Sequence, residues 1–461
     1  MLTRLIFVAL FMKCLCIQGQ NQLENFTKDN VLTSNQITCY LVDSKGLVWI
    51  GTESGLNAYS AGKWYPIKAI TNNQTGKDVQ LGRIETIYED KRRNIWVSSI
   101  NGLFIYNGNS WVHYLQDEEE KLVAKDFMED RSNRIWIGLE NTKKFEDFFN
   151  LQVTMVTGII YMYNYETWFT FGQMSGNVAL KYNIPPKFFT SILQDKEGNI
   201  WISSLEGLFR FYSDKMIEIE EDDLRRIKTF GAIQDLSGDI WVATELGIFR
   251  YSNNTWMKYG KKEGLSGDFF YDIVKDPRGR IWAFSATDMK FTGLSMNDGK
   301  NWMQFDSDAI NLKGTVNELF FWEEEIFAFS NNGVSRFDST GWHRFDRKDG
   351  LNEKSYSFMF RNRFKDIFLV GEKAFFQFEN MKWVKMYEPP GDWVVTQIFT
   401  DKKRRLWVAT ESSGVFQFAD NKWEQLKEED GLPDDYVSGV FEDKTGNIWF
   451  ITKKGIAKTN F

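Results

Sequence analysis

A tryptophan inside a short apolar run comes round along this chain about once every 41 residues, and that periodicity excludes most folds. The slot is filled by Trp49, Trp96, Trp136, Trp201, Trp241, Trp282, Trp407 and Trp449, with Phe327 and Phe368 in two degenerate copies. Successive spacings are 47, 40, 65, 40, 41, 45, 41, 39 and 42 residues, which gives ten units and one outlier. A fixed period of a few tens of residues means a repeat architecture, and the array is then the domain whatever a length of 461 residues would otherwise suggest.

Within one copy, Asp235 opens a tight turn that closes on Gly238. Ile240, Trp241 and Val242 form a strand core, and Glu245 and Gly247 mark a second turn before Ile248, Phe249 and Tyr251. Asp at the first turn position and Gly at the last suit a type I turn followed by a left-handed residue. In the first complete unit the pattern predicts four strands, a to d: Ile37 to Val42, Leu47 to Gly51, Leu56 to Tyr59 and Trp64 to Ile67. Strand d often opens on Trp-x-x-aromatic, as at Trp111, Trp168, Trp256, Trp302 and Trp342, and a polar loop with Gly-Leu follows several of them, as at Gly264-Leu265, Gly350-Leu351 and Gly431-Leu432.

Antiparallel four-stranded units at this spacing predict an all-β fold, a β-propeller of about ten blades. The last unit stops after its third strand, Gly455 to Asn460, while Leu23 to Thr27 near the start is a spare fourth strand. Joining the two closes one ring and removes exposed edges. A seven-blade ring followed by extra blades is the other arrangement the period allows, and the complementary spare strands favour the single ring.

Aromatic residues make up 16% of the chain, with 40 Phe and 18 Trp, enough apolar area for a core spread over many repeats. Net charge is −7 and no Lys/Arg block stands out, so the footprint of a nucleic-acid partner is missing. Arg4, the apolar run from Leu5 to Met12 and the segment Cys14 to Gly19 read as a signal peptide over residues 1–19, leaving 20–461 as the propeller. No other stretch is long and apolar enough to cross a bilayer, so the chain is expected to have no transmembrane segment and to be periplasmic or extracellular. With Cys14 and Cys16 in the signal, Cys39 stands alone, which excludes an internal disulfide or thiolate metal cluster and places Cys39 in the core. No cofactor is expected.

The phrase D-x-x-G-x-[IL]-W-[IV]-[GAS]-[ST], as in DSKGLVWIGT at 43–52 and DKEGNIWISS at 195–204, resembles the two-component regulator propeller repeat over roughly residues 23 to 461. That resemblance implies the exported sensor region of hybrid two-component regulators, mostly of Bacteroidetes, which detect oligosaccharides. The sequence ends at Phe461 without the family's β-sandwich module, membrane helix or kinase, so any signalling is expected to pass through a separate signalling or membrane protein.

In this topology the b–c and d–a loops emerge on one face. The b–c positions offer Glu53, Asn101, Glu206, Glu245, Asn331 and Glu411 as candidate ligand-binding residues, carboxylates and amides suited to sugar hydroxyls. Turns also favour such residues for their own sake. An insertion at about 141–157 breaks the repeat in the third unit, with Phe145, Phe148 and Phe149 among charged residues that would cap the channel or meet a partner. His113 and His343 lie in outer strands, away from any channel chemistry. The leading expectation is an exported, non-catalytic propeller that binds an oligosaccharide or protein ligand. The alternatives are a polysaccharide-active lyase or glycoside hydrolase using mouth carboxylates or Tyr, and a pure interaction scaffold.

Overall fold

Ten four-stranded antiparallel sheets follow one another in the computed structural model, each ordered a-b-c-d. The structure describes residues 23–71, 76–114, 122–141, 157–163, 168–171, 189–213, 215–221, 223–287, 290–306, 308–312, 316, 318–322, 325–388 and 394–459. The predicted signal peptide and most of the predicted insertion, residues 142–156, lie outside these, although strands Ile135–Asn141 and Thr157–Tyr163 put that insertion between b and c of blade 3. In blade 1 the strands are Ile37–Val42, Val48–Thr52, Gly55–Ser60 and Lys63–Ile67, within two residues of the expected bounds. Blade 10 takes a, b and c from Val437–Glu442, Ile448–Thr452 and Gly455–Thr459, and its fourth strand is Leu23–Phe26 from the start of the chain.

Strand b is the apolar heart of each blade. In blades 1, 2, 4, 5, 8, 9 and 10 all five of its residues are buried. Among the described residues ten core clusters result, each spanning two consecutive blades. The cluster of Val48, Ile50 and Tyr59 with Phe26, Phe441, Trp449 and Ile456 spans blades 1 and 10. That junction uses the same lock as its neighbours. A strand-d tryptophan lies edge-on against the strand-b tryptophan of the preceding blade, at 6.2 Å and 85° for Trp111 on Trp49, 6.2 Å and 81° for Trp256 on Trp201, 5.8 Å and 78° for Trp302 on Trp241. Trp64 of blade 1 meets Trp449 of blade 10 at 6.0 Å and 84°. Edge-to-face pairs of this kind add about 0.5–1.5 kcal/mol beyond the area they bury. The repeated tryptophans thus pack blade against blade.

The aspartate that opens each phrase explains why its tryptophan recurs with it. One carboxylate oxygen of Asp443 accepts the backbone N–H groups of Thr445 and Asn447, both within 3.0 Å, and the other accepts the Trp449 indole N–H at 2.9 Å. The same indole bond is made by Asp43, Asp90, Asp130, Asp195, Asp235, Asp276 and Asp401, at 2.8–3.1 Å. Burial pushes the Asp235 carboxyl up, but bonds from Trp241, Ser237, Asp239 and Gly238 together hold it below the usual carboxylate range; Asp443 is held down in the same way.

Cys39 sits on the innermost strand of blade 1, only partly buried, and packs against the cluster shared with blade 2. The sequence placed it in the core; strand a borders the channel, so its side chains are covered from the blade sides alone. Burial is still enough to push the thiol up to about 11, which leaves it unreactive near neutral pH.

Candidate functional site

Three devices fix the b–c turns and account for the end of the phrase. The closing Ser or Thr of strand b folds its hydroxyl over the turn: Thr52 Oγ1 donates to the Gly55 carbonyl at 2.9 Å and accepts from the Ser54 N–H at 3.1 Å, and Thr244 does the same with Gly247 and Leu246. Gly55 has φ +140°, and a Cβ there would meet the Ile67 carbonyl, so no other residue fits. The turn N–H then ties to the residue preceding strand a: Glu53 to Gln36, Ile100 to Arg83, Glu245 to Lys228, Glu372 to Ser355 and Glu411 to Val394, at 2.9–3.1 Å. The b–c turns are thereby held beside the start of strand a, at the mouth of the channel.

Near the start of strand a, nine of the ten inner strands carry a β-bulge. The register slips between Ile37 and Cys39, Ile84 and Thr86, Ala124 and Asp126, Phe189 and Ser191, Thr229 and Gly231, Phe270 and Asp272, Tyr356 and Phe358, Val395 and Gln397, and Val437 and Gly439. Blade 7 pairs Glu318–Trp322 with Glu325–Ser330 without a slip. A bulge re-aims one side chain and bends its strand. Two of the re-aimed residues, Thr190 and Thr396, donate from Oγ1 to carbonyls of the next blade, Thr229 at 2.7 Å and Val437 at 2.5 Å. The bulges were not read from the sequence, because an extra residue in one strand shows only against its partner.

The six predicted residues all fall on these turns, each on a different blade. Glu53 pairs with Arg83 of blade 2 at 3.1 Å, and Arg83 also holds Glu85 at 2.9 Å. Glu245 accepts from the Lys228 backbone at 3.0 Å and pairs with its ammonium at 3.3 Å. Asn101 donates to the Gln80 carbonyl at 2.9 Å, while its own carbonyl meets His113 Nε2 at 3.2 Å. Glu206 is half-buried with its N–H on Ser204 Oγ at 3.1 Å; the Asn331 carbonyl accepts from the Tyr356 N–H at 2.8 Å; the exposed Glu411 is tied through its own N–H. The bonds of Glu53, Asn101 and Glu245 lead to their own or an adjacent blade, so at least these three also serve the scaffold.

Several mouth residues escaped the sequence reading. In blade 10, Lys453 lies 3.9 Å over the Tyr436 ring, and Lys454 pairs with Glu428 at 2.7 Å and Asp434 at 3.1 Å. In blade 8, Glu353 accepts from the Lys373 N–H at 2.8 Å, and burial pushes its carboxyl up. A signal existed, since each lies in a b–c or d–a position, but only acidic and amide turn residues were selected. The Gly-Leu loops become single 3-10 turns, Lys261–Glu263, Arg347–Asp349 and Glu428–Asp430, which seat Leu265, Leu351 and Leu432 in the core. His113 stacks on Phe104 at 4.4 Å in an outer strand, and burial lowers its pKa. His343 meets Asp338 at 3.3 Å. Among the described residues no cluster of His, Cys, Asp or Glu is arranged to hold a metal, and no helix is long and apolar enough to cross a membrane.

On the opposite face the a–b turns are laced together. The N–H after the opening aspartate donates to the Glu or Gln that ends strand a of the next blade: Ser44 to Glu89 at 2.6 Å, Lys91 to Glu129 at 2.7 Å, Arg131 to Gln194 at 2.9 Å, Lys196 to Gln234 at 2.7 Å and Lys402 to Glu442 at 3.0 Å. Where that residue is basic, its side chain reaches a carbonyl of the next blade, as Lys91 does to Asp130 at 3.0 Å and Lys402 to Asp443 at 3.3 Å; Lys444 carries the lacing across the junction to Ser44.

Residues 31–54, 183–206 and 431–454 match the family model described as two component regulator propeller. No curated protein matches the chain. Among solved structures, the extracellular domain of a putative hybrid two-component system from B. thetaiotaomicron is similar at 14% identity, covering 95% of this chain and 83% of that one, with a TM-score of 0.33. PorZ, a surface component of the type-IX secretion system of Porphyromonas gingivalis, is similar at 12% identity over 92% and 68%, TM-score 0.31. A streptogramin B lyase is similar at 17% identity over 60% and 95%, TM-score 0.31.

Proposed function

We propose that this chain, whose blades include two-component regulator propeller repeats, is an exported, non-catalytic binding propeller that takes an oligosaccharide or a protein ligand at the mouth formed by its b–c and d–a loops. One observation carries the reading. The positions that repeat from blade to blade, the Asp, the Trp, the Ser or Thr and the Gly, are occupied in holding the scaffold. The positions that change, Glu53, Asn101, Glu206, Glu245, Asn331, Glu411 and Lys453, are polar and share one rim. A rigid frame with variable tips is how repeat proteins build recognition surfaces. The resemblance to exported sensor regions of two-component systems supports the same reading. Periplasmic or extracellular placement follows from the signal-like start.

A ligand that binds only the folded chain raises its melting temperature. Thermal-shift screening against polysaccharide-derived oligosaccharides is expected to give a stabilising hit without product. The combined variant Glu206→Gln, Glu245→Gln, Glu411→Gln is expected to weaken that hit while the unliganded melting point falls by no more than a few degrees. Cleavage of the hit would establish the enzyme instead, and silence across the panel would move the ligand to a protein.

A further inference from the structure

Strand a borders the channel, and the extra residue of its bulge turns toward the lumen because it has no partner across the pair. The repeat makes each blade a control for the others. In blades 1, 2, 4, 8, 9 and 10 the bulge residue is polar: Thr38, Glu85, Thr190, Ser357, Thr396 and Ser438. In blade 5 it is Phe230, whose ring meets that of Phe269, at the start of strand a in blade 6, with centroids 4.9 Å apart and planes at 60°. Both rings are half-buried, and neither packs into the core clusters on either side of its blade. An aromatic pair that serves no core is the kind of surface a ligand covers.

The next residue of blade 5, Gly231, puts no side chain beside the pair, and a Cβ there would stand 3.7 Å from Asp272 Oδ1 of blade 6. The carboxylate therefore lies alongside the step between the two blades. Its Oδ1 accepts the Ile273 N–H at 2.8 Å, and among the described residues no cation pairs with it. The channel wall pushes the carboxyl up, since it withdraws water without supplying a positive charge. Lys228, at the mouth of blade 5, is committed to Glu245 at 3.3 Å, and Lys275, at the far end of strand a in blade 6, donates to the Gln234 carbonyl at 2.6 Å.

We infer that this wall of the channel, between blades 5 and 6, binds a sugar ring bearing an ammonium group, with Phe230 and Phe269 against its carbon face and Asp272 as its counterion. An aromatic face attracts a cation through its quadrupole and covers the C–H face of a pyranose, and a carboxylate beside it selects a positive charge over a neutral hydroxyl. The chain's net charge of −7 favours the same sign of ligand. A phosphate backbone would meet that carboxylate with like charge. The inference rests on the proposed function in taking the ligand to be a carbohydrate; the position inside the channel and the charge class are new.

The probes are chitosan tetramer, chitin tetramer and cellotetraose, which share one backbone and carry an ammonium, an acetamide and a hydroxyl at the second carbon. Calorimetric titration of the full chain in slightly acidic buffer, where the sugar amines are protonated, is expected to show chitosan tetramer bound at least about tenfold more tightly than either neutral sugar. Asp272→Asn is expected to cut that preference to within about twofold, and Phe230→Thr and Phe269→Ser each to weaken chitosan tetramer at least about fivefold. The two Phe replacements supply what other blades carry at those positions, Thr38 and Ser355, so the melting point is expected to hold. Equal binding of chitosan tetramer and cellotetraose overturns the ammonium assignment. No binding of chitosan tetramer, or binding that all three variants leave unchanged, overturns the site. A sugar whose binding the Glu206, Glu245, Glu411 variant weakens and the channel variants do not touch sinks this inference and leaves the proposed function standing.

Discussion

In blade 5 the carboxylate of Asp235 has one oxygen on the turn N–H groups of Gly238 and Asp239 and the other on the indole of Trp241. In blade 8 the same two positions hold Asn362 and Phe368. Asn362 Oδ1 still accepts from the N–H groups of Phe364 and Asp366, both at 2.9 Å, while its Nδ2 turns to Asp366 at 2.8 Å. Blade 7 has dispensed with both: Phe327, fully buried, stacks on Phe345 at 6.0 Å and meets Phe378 edge-on, and its inner strand carries no bulge. The turn therefore asks for one acceptor arm, which an amide supplies. At this turn position the buried carboxylate accompanies an indole N–H that must be satisfied, and in blade 8, where a phenyl ring makes no such demand, an amide replaces it.

The contrast breaks most visibly if the acceptor is removed. Asp235→Ala strands the indole and the turn N–H groups together, at an expected cost of about 3–5 kcal/mol, whereas Asn362→Ala loses only turn bonds and should cost about 2 kcal/mol. Equal shifts in the denaturation midpoint would show that the indole bond adds nothing. Next in size, Trp241→Phe leaves a buried carboxylate half-paired, and adding Asp235→Asn, the blade 8 solution, should recover about 1–2 kcal/mol in a double-mutant cycle. Strict additivity would uncouple the pair.

A subtler test is acid. Asp235 and Asp443 are held below the usual carboxylate range, so their stabilisation is complete above the unfolded value of about 3.9 and is lost as pH falls through the lower folded value. The doubly substituted blade 5 should show a shallower fall in midpoint below about pH 4 than the parent, and superimposable curves would remove the carboxylate from the account. Smallest of all, the left-handed slot filled by Gly238 at φ +101° in blade 5 holds Lys365 at φ +72° in blade 8. Lys365→Gly relieves about 1–2 kcal/mol of backbone strain and returns part of it to the freer unfolded chain, for a net gain of about 0.5 kcal/mol in a calorimetric scan.

The ten blades, their strand order and the spare strand at the start were legible because each depends on residues close together in sequence and repeated. The bulges at Thr38 and its counterparts were not, since they exist only in the pairing of two strands. The mouth was half legible: Glu53 and Glu245 were placed on the right turns, but their partners Arg83 and Lys228 stand 30 and 17 residues away, at the edge of strand a, where no local pattern marks them.

The sheet that joins the two ends of the chain has a mechanical consequence. Leu23 lies opposite Thr459 and Phe26 opposite Ile456, so both chain ends leave from the same end of that antiparallel pair. A force applied between them acts across the hydrogen bonds and opens them one after another, whereas a pull along the strands would load them all at once. Tension between the ends should therefore part Leu23–Phe26 from its blade at low load, before any other interface yields, and expose Phe26 and the face of Trp449 that it covers at 5.8 Å.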